Sequence, residues 1–190
     1  MNLNDLENLI EDGESEHVEF KKSTGQRTLA AKTVCAMSNG LGGFVIFGVT
    51  DKGEPIGQHV AAKTLEDITA ELRKIEPPVF PDIETVSVKK DLSVIVLRVA
   101  GGGGPYVFND TPYIRYGPTT TKMPRDIYEK KLITKFHATR RWENEPVPKG
   151  VTIDDLDEKE IQISLDNAIR LGRLDANTRQ DTIRNQYFVV

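Results

Sequence analysis

Apolar residues along this chain change their spacing several times, and each change marks an element. Leu3, Leu6, Leu9 and Ile10 recur at helical spacing, which predicts a short amphipathic helix over 3–11, ended by Gly13. From His17 to Lys22 the pattern shifts to alternation, with Val18 and Phe20 on one side of a strand and Glu19 and Lys21 on the other. Thr24 can cap a helix running to Met37, and Asn39-Gly40 gives it a left-handed end. Residues 42–49, GGFVIFGV, are almost continuously apolar, the signature of a strand buried on both faces. Thr64 and Asp67 have the spacing of a capping box for a helix that buries Leu65, Ile68, Leu72 and Ile75, and Pro77-Pro78 stops it.

Farther along, Ile83–Val88 and Leu92–Val99 read as an antiparallel hairpin turning at Lys89-Lys90-Asp91. Gly101–Gly104 predicts a loop, and a strand follows through Tyr113–Tyr116. A helix is expected from about Pro124 to His137, since proline suits a first helical turn. ENEPVPKG, residues 143–150, has the composition of a linker, and residues 156–172 are again amphipathic. These elements make an α/β protein: a mixed sheet packed with helices over residues 1–140, then a linker and helical C-terminal arm over 141–190. The arm ends in Gln186-Tyr-Phe-Val-Val, an apolar terminus that calls either for docking on a core or a second subunit or for more chain, as in the front part of a longer protein.

Composition narrows the setting. The 190 residues can bury a sizeable core, and no run approaches the ~20 apolar residues of a membrane span. Cys35 is the only cysteine, which excludes an internal disulfide and a thiol-rich zinc site. The acidic N-terminus is unlike a signal or transit peptide, and a cytoplasmic location is expected. The net charge of −4 conceals segregation. Residues 1–19 carry acids and no Lys or Arg, whereas Arg115, Lys122, Arg125, Lys130, Lys131, Lys135, Arg140 and Arg141 face only Asp126 and Glu129 in a later stretch. A local basic surface of that kind can hold a polyanion on an acidic protein, and it can equally be a solvated helix face.

Four constellations could carry chemistry. Glu14, Glu19 and Asp51, with Lys21 beside them, supply the oxygen donors that Mg²⁺ or Mn²⁺ prefers and a cation for a phosphate. The same residues also read as turn carboxylates and a strand-edge pair between Glu19 and Lys21 or Lys22. Asn39–Gly43 permits close backbone approach, for a phosphate or simply for chain reversal. Gly101–Gly104 lacks the Lys-Ser/Thr of a nucleotide-binding P-loop and reads as a mobile loop, with no basis for ATP binding. Arg115, flanked by Tyr113 and Tyr116 and followed by Thr119–Thr121, offers phosphate donors beside stacking rings, or tyrosines partly in the core. His17, His59 and His137 are too scattered for zinc, and Cys35 is expected to be buried.

Taken in order, GESEHVEFKKS, a helix ending AMSNGLGGFVIFGVTDKGEPIG, a hairpin and PYIRYGPTTTKM resemble the Schlafen AlbA_2 domain, over residues 3 to about 137. This domain also stands at the front of many bacterial proteins classed as transcriptional regulators or helicase-related proteins. DDLDEKEIQISLDNAIRLGRL resembles the connector that follows it there. The resemblance implies a nucleic-acid-binding α/β domain, for RNA or DNA. In Schlafen nucleases it implies a three-carboxylate, divalent-metal endoribonuclease. Matched by motif, the metal-holding and catalytic acids fall on Glu14, Glu19 and Asp51, and Lys21 takes the place of the motif lysine. Lys21, Lys22, Arg115, Tyr116, Lys130, Lys131 and Lys135 would then hold the nucleic acid. Schlafen nucleases form their groove from two tandem copies of the fold, so a homodimer is expected here. The alternative is a non-catalytic regulator that binds DNA or senses a ligand for a downstream domain. Geometry separates the two: carboxylates within reach of one metal favour cleavage, and an Asp51 turned to solvent favours regulation.

Overall fold

A computed structural model describes residues 1–139, 149–150, 155 and 157–175. It divides into two compact units, Met1–Arg140 and Arg141–Val190. In the first unit the described elements are, in chain order, α1 (Leu3–Ile10), β1 (Val18–Lys21), a 3₁₀ turn (Thr24–Gln26), α2 (Arg27–Asn39), β2 (Gly42–Phe47), α3 (Ala62–Leu72), β3 (Ile75–Glu76), β4 (Asp82–Lys89), β5 (Leu92–Ala100), β6 (Val107–Phe108), β7 (Thr111–Tyr116), β8 (Thr119–Lys122) and α4 (Arg125–Thr139).

Two four-stranded sheets result. The first has the order β1-β2-β5-β4, with β1 parallel to β2 and the other pairs antiparallel. β2 lies inside it, as its continuous apolar run requires. Side chains alternate across β2 and β5, so Val45, Phe47, Ile95, Leu97 and Val99 enter one core while Ile46, Val94 and Val96 enter another. The first core also takes Ala30, Ala31, Val34 and Met37 of α2, Ile68 and Leu72 of α3, and Ile75 and Phe108 of the second sheet. The second core is closed by Leu6 and Ile10 of α1. Each core draws apolar side chains from both sides, which is what removes them from water and holds the layers together. The second sheet, β3-β6-β7-β8, is antiparallel throughout and meets α2. The fold is therefore α/β, with mixed sheets and helices.

Local differences from the sequence reading have simple causes. Ser23, not Thr24, caps the turn that leads into α2, through Oγ accepting from Gly25 N–H. α3 begins at Ala62, so Thr64 stands in its first turn and its Oγ1 accepts from Ala61 N–H rather than serving as the cap. The β4–β5 turn uses Asp91 at φ 62°, a left-handed position that Asp tolerates well. In the second unit the described helix is α5 (Glu158–Arg170). Asp157 caps it by accepting from Lys159 N–H at 2.8 Å, with Glu158 and Glu160 in its first turn and Arg170 in its last, in accord with the helix dipole. Residues 143–148 of the expected linker over 143–150, and the tail after 175, lie outside the described residues. Among those residues no helix is long and apolar enough to cross a membrane.

Candidate functional site

β1 is buried along its whole length, on its charged face as well as its apolar one. Phe20 points into the core under α1, and Glu19 and Lys21 point the other way, toward the end of β7. Arg115 of β7 arrives there with only 2% of its side chain exposed. Its Nη1 donates to Glu19 Oε2 at 2.6 Å and to Thr120 Oγ1 at 3.1 Å, and Nη2 donates to the backbone oxygens of Ser15 and Val18. Lys21 Nζ donates to Glu19 Oε1 and to Phe20 O. Thr33 of α2 extends the network to Thr120 across 3.1 Å. Both carboxylate oxygens of Glu19 are thus occupied by cations of the same chain, and the guanidinium ties β7 to the chain entering β1. A buried carboxylate between two cations is charge used for internal fastening.

The other two carboxylates lie elsewhere. Glu14 Oε1 accepts from Phe20 N–H at 2.8 Å, so the side chain caps a backbone donor within the edge strand β1. Asp51 stands in the turn after β2 with 73% of its side chain exposed, and Oδ2 pairs with Lys22 Nζ at 2.9 Å. No group of three or more His, Cys, Asp or Glu side chains among the described residues could hold a metal ion. The acids expected to hold Mg²⁺ or Mn²⁺, Glu14, Glu19 and Asp51, thus each have a different partner in this arrangement. Each Glu19 oxygen already accepts from one cation, and Asp51 is on the solvent side. Lys21 and Arg115, expected as phosphate donors, are both buried and share the one carboxylate of Glu19.

What remains offered to solvent is a different set. Lys22 and Tyr116 are exposed, Tyr116 at 56%. On α4, Lys130 and Lys135 are exposed, while Lys131 is half-buried and donates to Asn39 O at 3.0 Å. These three lysines, with Asp126, Ile127 and Thr134, form one wall of a cleft of about 790 Å³ whose other wall is the loop Gly102–Gly104.

The two glycine clusters, 60 residues apart in sequence, pack backbone to backbone. A Cβ on Gly42 would stand 2.4 Å from Val99 O, and one on Gly101 would stand 2.3 Å from Gly42 N and Leu41 C. A Cβ on Gly43 would meet His17 O at 2.3 Å. Real side chains do not fit at such separations, so glycine is required there for close approach. Asn39 completes the junction, buried at 3% exposure. Its Nδ2 donates to Tyr106 O and Tyr113 O at 2.8 and 3.0 Å, and its Oδ1 accepts from Tyr106 N–H at 2.7 Å. Asn39 thus does more than end α2: it clamps the chain leaving the glycine loop. Only the Asn-Gly pair signalled it in the sequence, and that pair pointed to a helix end.

A second cleft, of about 640 Å³, opens where β1, β4, β2 and β5 meet the same loop at Gly101. His17, Asp82 and Arg98 line it, with Phe80 and Leu41 at 90% and 80% exposure. Sequence reasoning passed over Phe80 and Arg98. A large aromatic between two prolines was the available signal. Behind these surfaces Cys35 is fully buried on α2, and that burial pushes its thiol up to about 11, against a small opposing contribution from the backbone at Tyr113.

Comparison with solved structures returns distant likenesses. The DIP2311 protein of Corynebacterium diphtheriae is 18% identical with a TM-score of 0.47, over 89% of this chain and 37% of that one. The N-terminal domain of a RecG-related protein from Nitrosomonas europaea is 19% identical with a TM-score of 0.45, over 66% of this chain and 93% of that domain. The chain thus spans little more than a third of the DIP2311 protein's length. No curated protein matches. The family model described as Schlafen, AlbA_2 matches residues 14–124, from the Glu14 cap through the Arg115 strand to the start of α4. With more than half of its length so matched, the chain belongs to the Schlafen AlbA_2 family.

Proposed function

We propose that this chain is a nucleic-acid-binding domain that holds its ligand through exposed lysines and does not cut it through the three carboxylates. The observation that carries this reading is the commitment of Glu19: both its oxygens are engaged by Lys21 and Arg115 in a buried network, while Asp51 sits in solvent against Lys22. Family membership supports a nucleic-acid role, and the regulator type of relative fits a domain that binds without cleaving. Lys130, Lys131 and Lys135 around the α4 cleft, with Lys22 and Tyr116 outside it, are the groups offered for phosphates and rings. A second copy would complete a two-sided groove, so a homodimer belongs to the proposal. Light scattering at the concentrations that bind nucleic acid tests it, and a monomer there would contradict it.

The experiment is binding and integrity in one tube. Labelled RNA and DNA strands are titrated with the protein in EDTA and again in Mn²⁺, and the same samples are run on a denaturing gel. Equal, salt-sensitive binding in both and intact strands are expected. Cutting in Mn²⁺ that disappears in Glu19→Gln would overturn the reading and restore the catalytic one.

A further inference from the structure

The loop Gly101–Gly104 reads in the sequence as a mobile turn, yet it is fixed against the α2–β2 junction and separates two clefts. Gly101 lines the cleft with Phe80, Arg98 and His17, and Gly102–Gly104 line the cleft with the α4 lysines. Four residues of chain reach at most about 14 Å, so the two clefts adjoin. Their chemistry is complementary rather than repeated. Among the described lining residues, the α4 side brings together Lys130, Lys131 and Lys135 with Asp126. On the other side an almost fully exposed phenylalanine stands beside Arg98 and His17, with Asp82 the one acid among the described lining residues. Phe80 leaves 90% of its surface in water, so its ring face is open to a ligand. Glycines between the clefts present no side chain to obstruct a strand crossing from one to the other.

We propose that the two clefts are one track for single-stranded nucleic acid, with the α4 lysines holding phosphates and Phe80 stacking an unpaired base beside Arg98. This rests on the nucleic-acid reading above and specifies its ligand. Stacking needs a base whose face is free, which a duplex does not offer along its length, while phosphate contacts do not discriminate. The track therefore favours single strands through Phe80 and gains affinity for any strand through the lysines.

Fluorescence anisotropy with labelled oligothymidylate, oligouridylate and a dA–dT duplex tests this on the full chain. Three variants are compared with the wild type: Phe80→Ala, Phe80→Trp and the double variant Lys130→Ala/Lys135→Ala. Because Phe80 is exposed, its replacement leaves the urea midpoint unchanged, and this is checked first. Phe80→Ala should weaken single-strand binding about tenfold and spare the duplex, and Phe80→Trp should retain or strengthen it. The lysine variant should weaken both ligands. Unaltered single-strand affinity in Phe80→Ala, or a wild type that holds the duplex as tightly as the single strand, overturns the track. If the lysine variant alone loses affinity, the track falls and the general nucleic-acid reading stands. If the wild type binds none of the three probes, both fall.

Discussion

Two regions of the first unit are rich in charge and spend it differently. Around Arg115 the charges are buried and paired within the protein: Glu19 meets both Lys21 and Arg115, and backbone oxygens of Ser15 and Val18 accept from Nη2, while Arg115 Nε is buried without a partner among the described residues. Along α4 the charges face a cleft, where three lysines stand against Asp126 and a glycine loop. The sequence shows a Glu-x-Lys in one place and a Lys-Lys-x-x-x-Lys in the other, and neither spacing states which is committed. Burial decides it. A cation held in a buried network must break it to meet a phosphate, whereas an exposed side chain at a cleft can turn to one without that cost.

The largest expected effect comes from breaking the buried network. Arg115→Ala leaves the Glu19 carboxylate with a single cation and strips donors from two backbone oxygens, which should cost about 3–5 kcal/mol in urea unfolding. A loss within experimental error would mean that the guanidinium is solvated after all. Asn39→Ala comes next, at roughly 2–3 kcal/mol, because the backbone groups of Tyr106 and Tyr113 lose their partner. A normal urea midpoint in that variant would sever the glycine loop from the α2 end. On the other side of the comparison, Lys130→Ala should leave stability within about 0.5 kcal/mol. It should instead reduce the salt slope of nucleic-acid binding by about 1, and an unchanged slope would remove Lys130 from the interface.

The smallest effect at neutral pH belongs to Cys35. With its thiol raised to about 11, the folded protein should react with iodoacetamide at pH 8 roughly a hundredfold more slowly than the unfolded chain. The sign for stability follows from the same shift. Above the unfolded thiol's range the unfolded chain loses its proton first, so stability declines as pH climbs toward 11. Comparison of urea midpoints with Cys35→Ala isolates this decline, and parallel pH curves would contradict the burial.

Much of the fold was legible because hydrophobic spacing reports directly on burial. The continuous run of β2, the β4–β5 hairpin and the amphipathic α1 and α5 all follow from it. The alternation in β1 correctly put Val18 and Phe20 opposite Glu19 and Lys21, but alternation could not tell that the charged face is covered too. That cover comes from Arg115, 96 residues away, and a one-dimensional pattern holds no information on such a partner. For the same reason motif order brings the acids Glu14, Glu19 and Asp51 together without stating their partners, and the fold gives each a different one. Glycine clusters were visible, but their mutual contact depends on where β5 ends against α2. Phe80 was visible as well, although a lone aromatic in a proline-rich segment does not announce its exposure.

The most direct test of whether Glu19 is an internal fastener is a double-mutant cycle with Arg115. Urea unfolding of the wild type, Glu19→Gln, Arg115→Met and the double variant measures their coupling. The buried pair predicts a coupling of about 2 kcal/mol or more, with the double variant far less damaged than the two singles summed. Effects that add to within about 0.5 kcal/mol would show that Glu19 and Arg115 act independently, and the carboxylate would again be open to a metal ion.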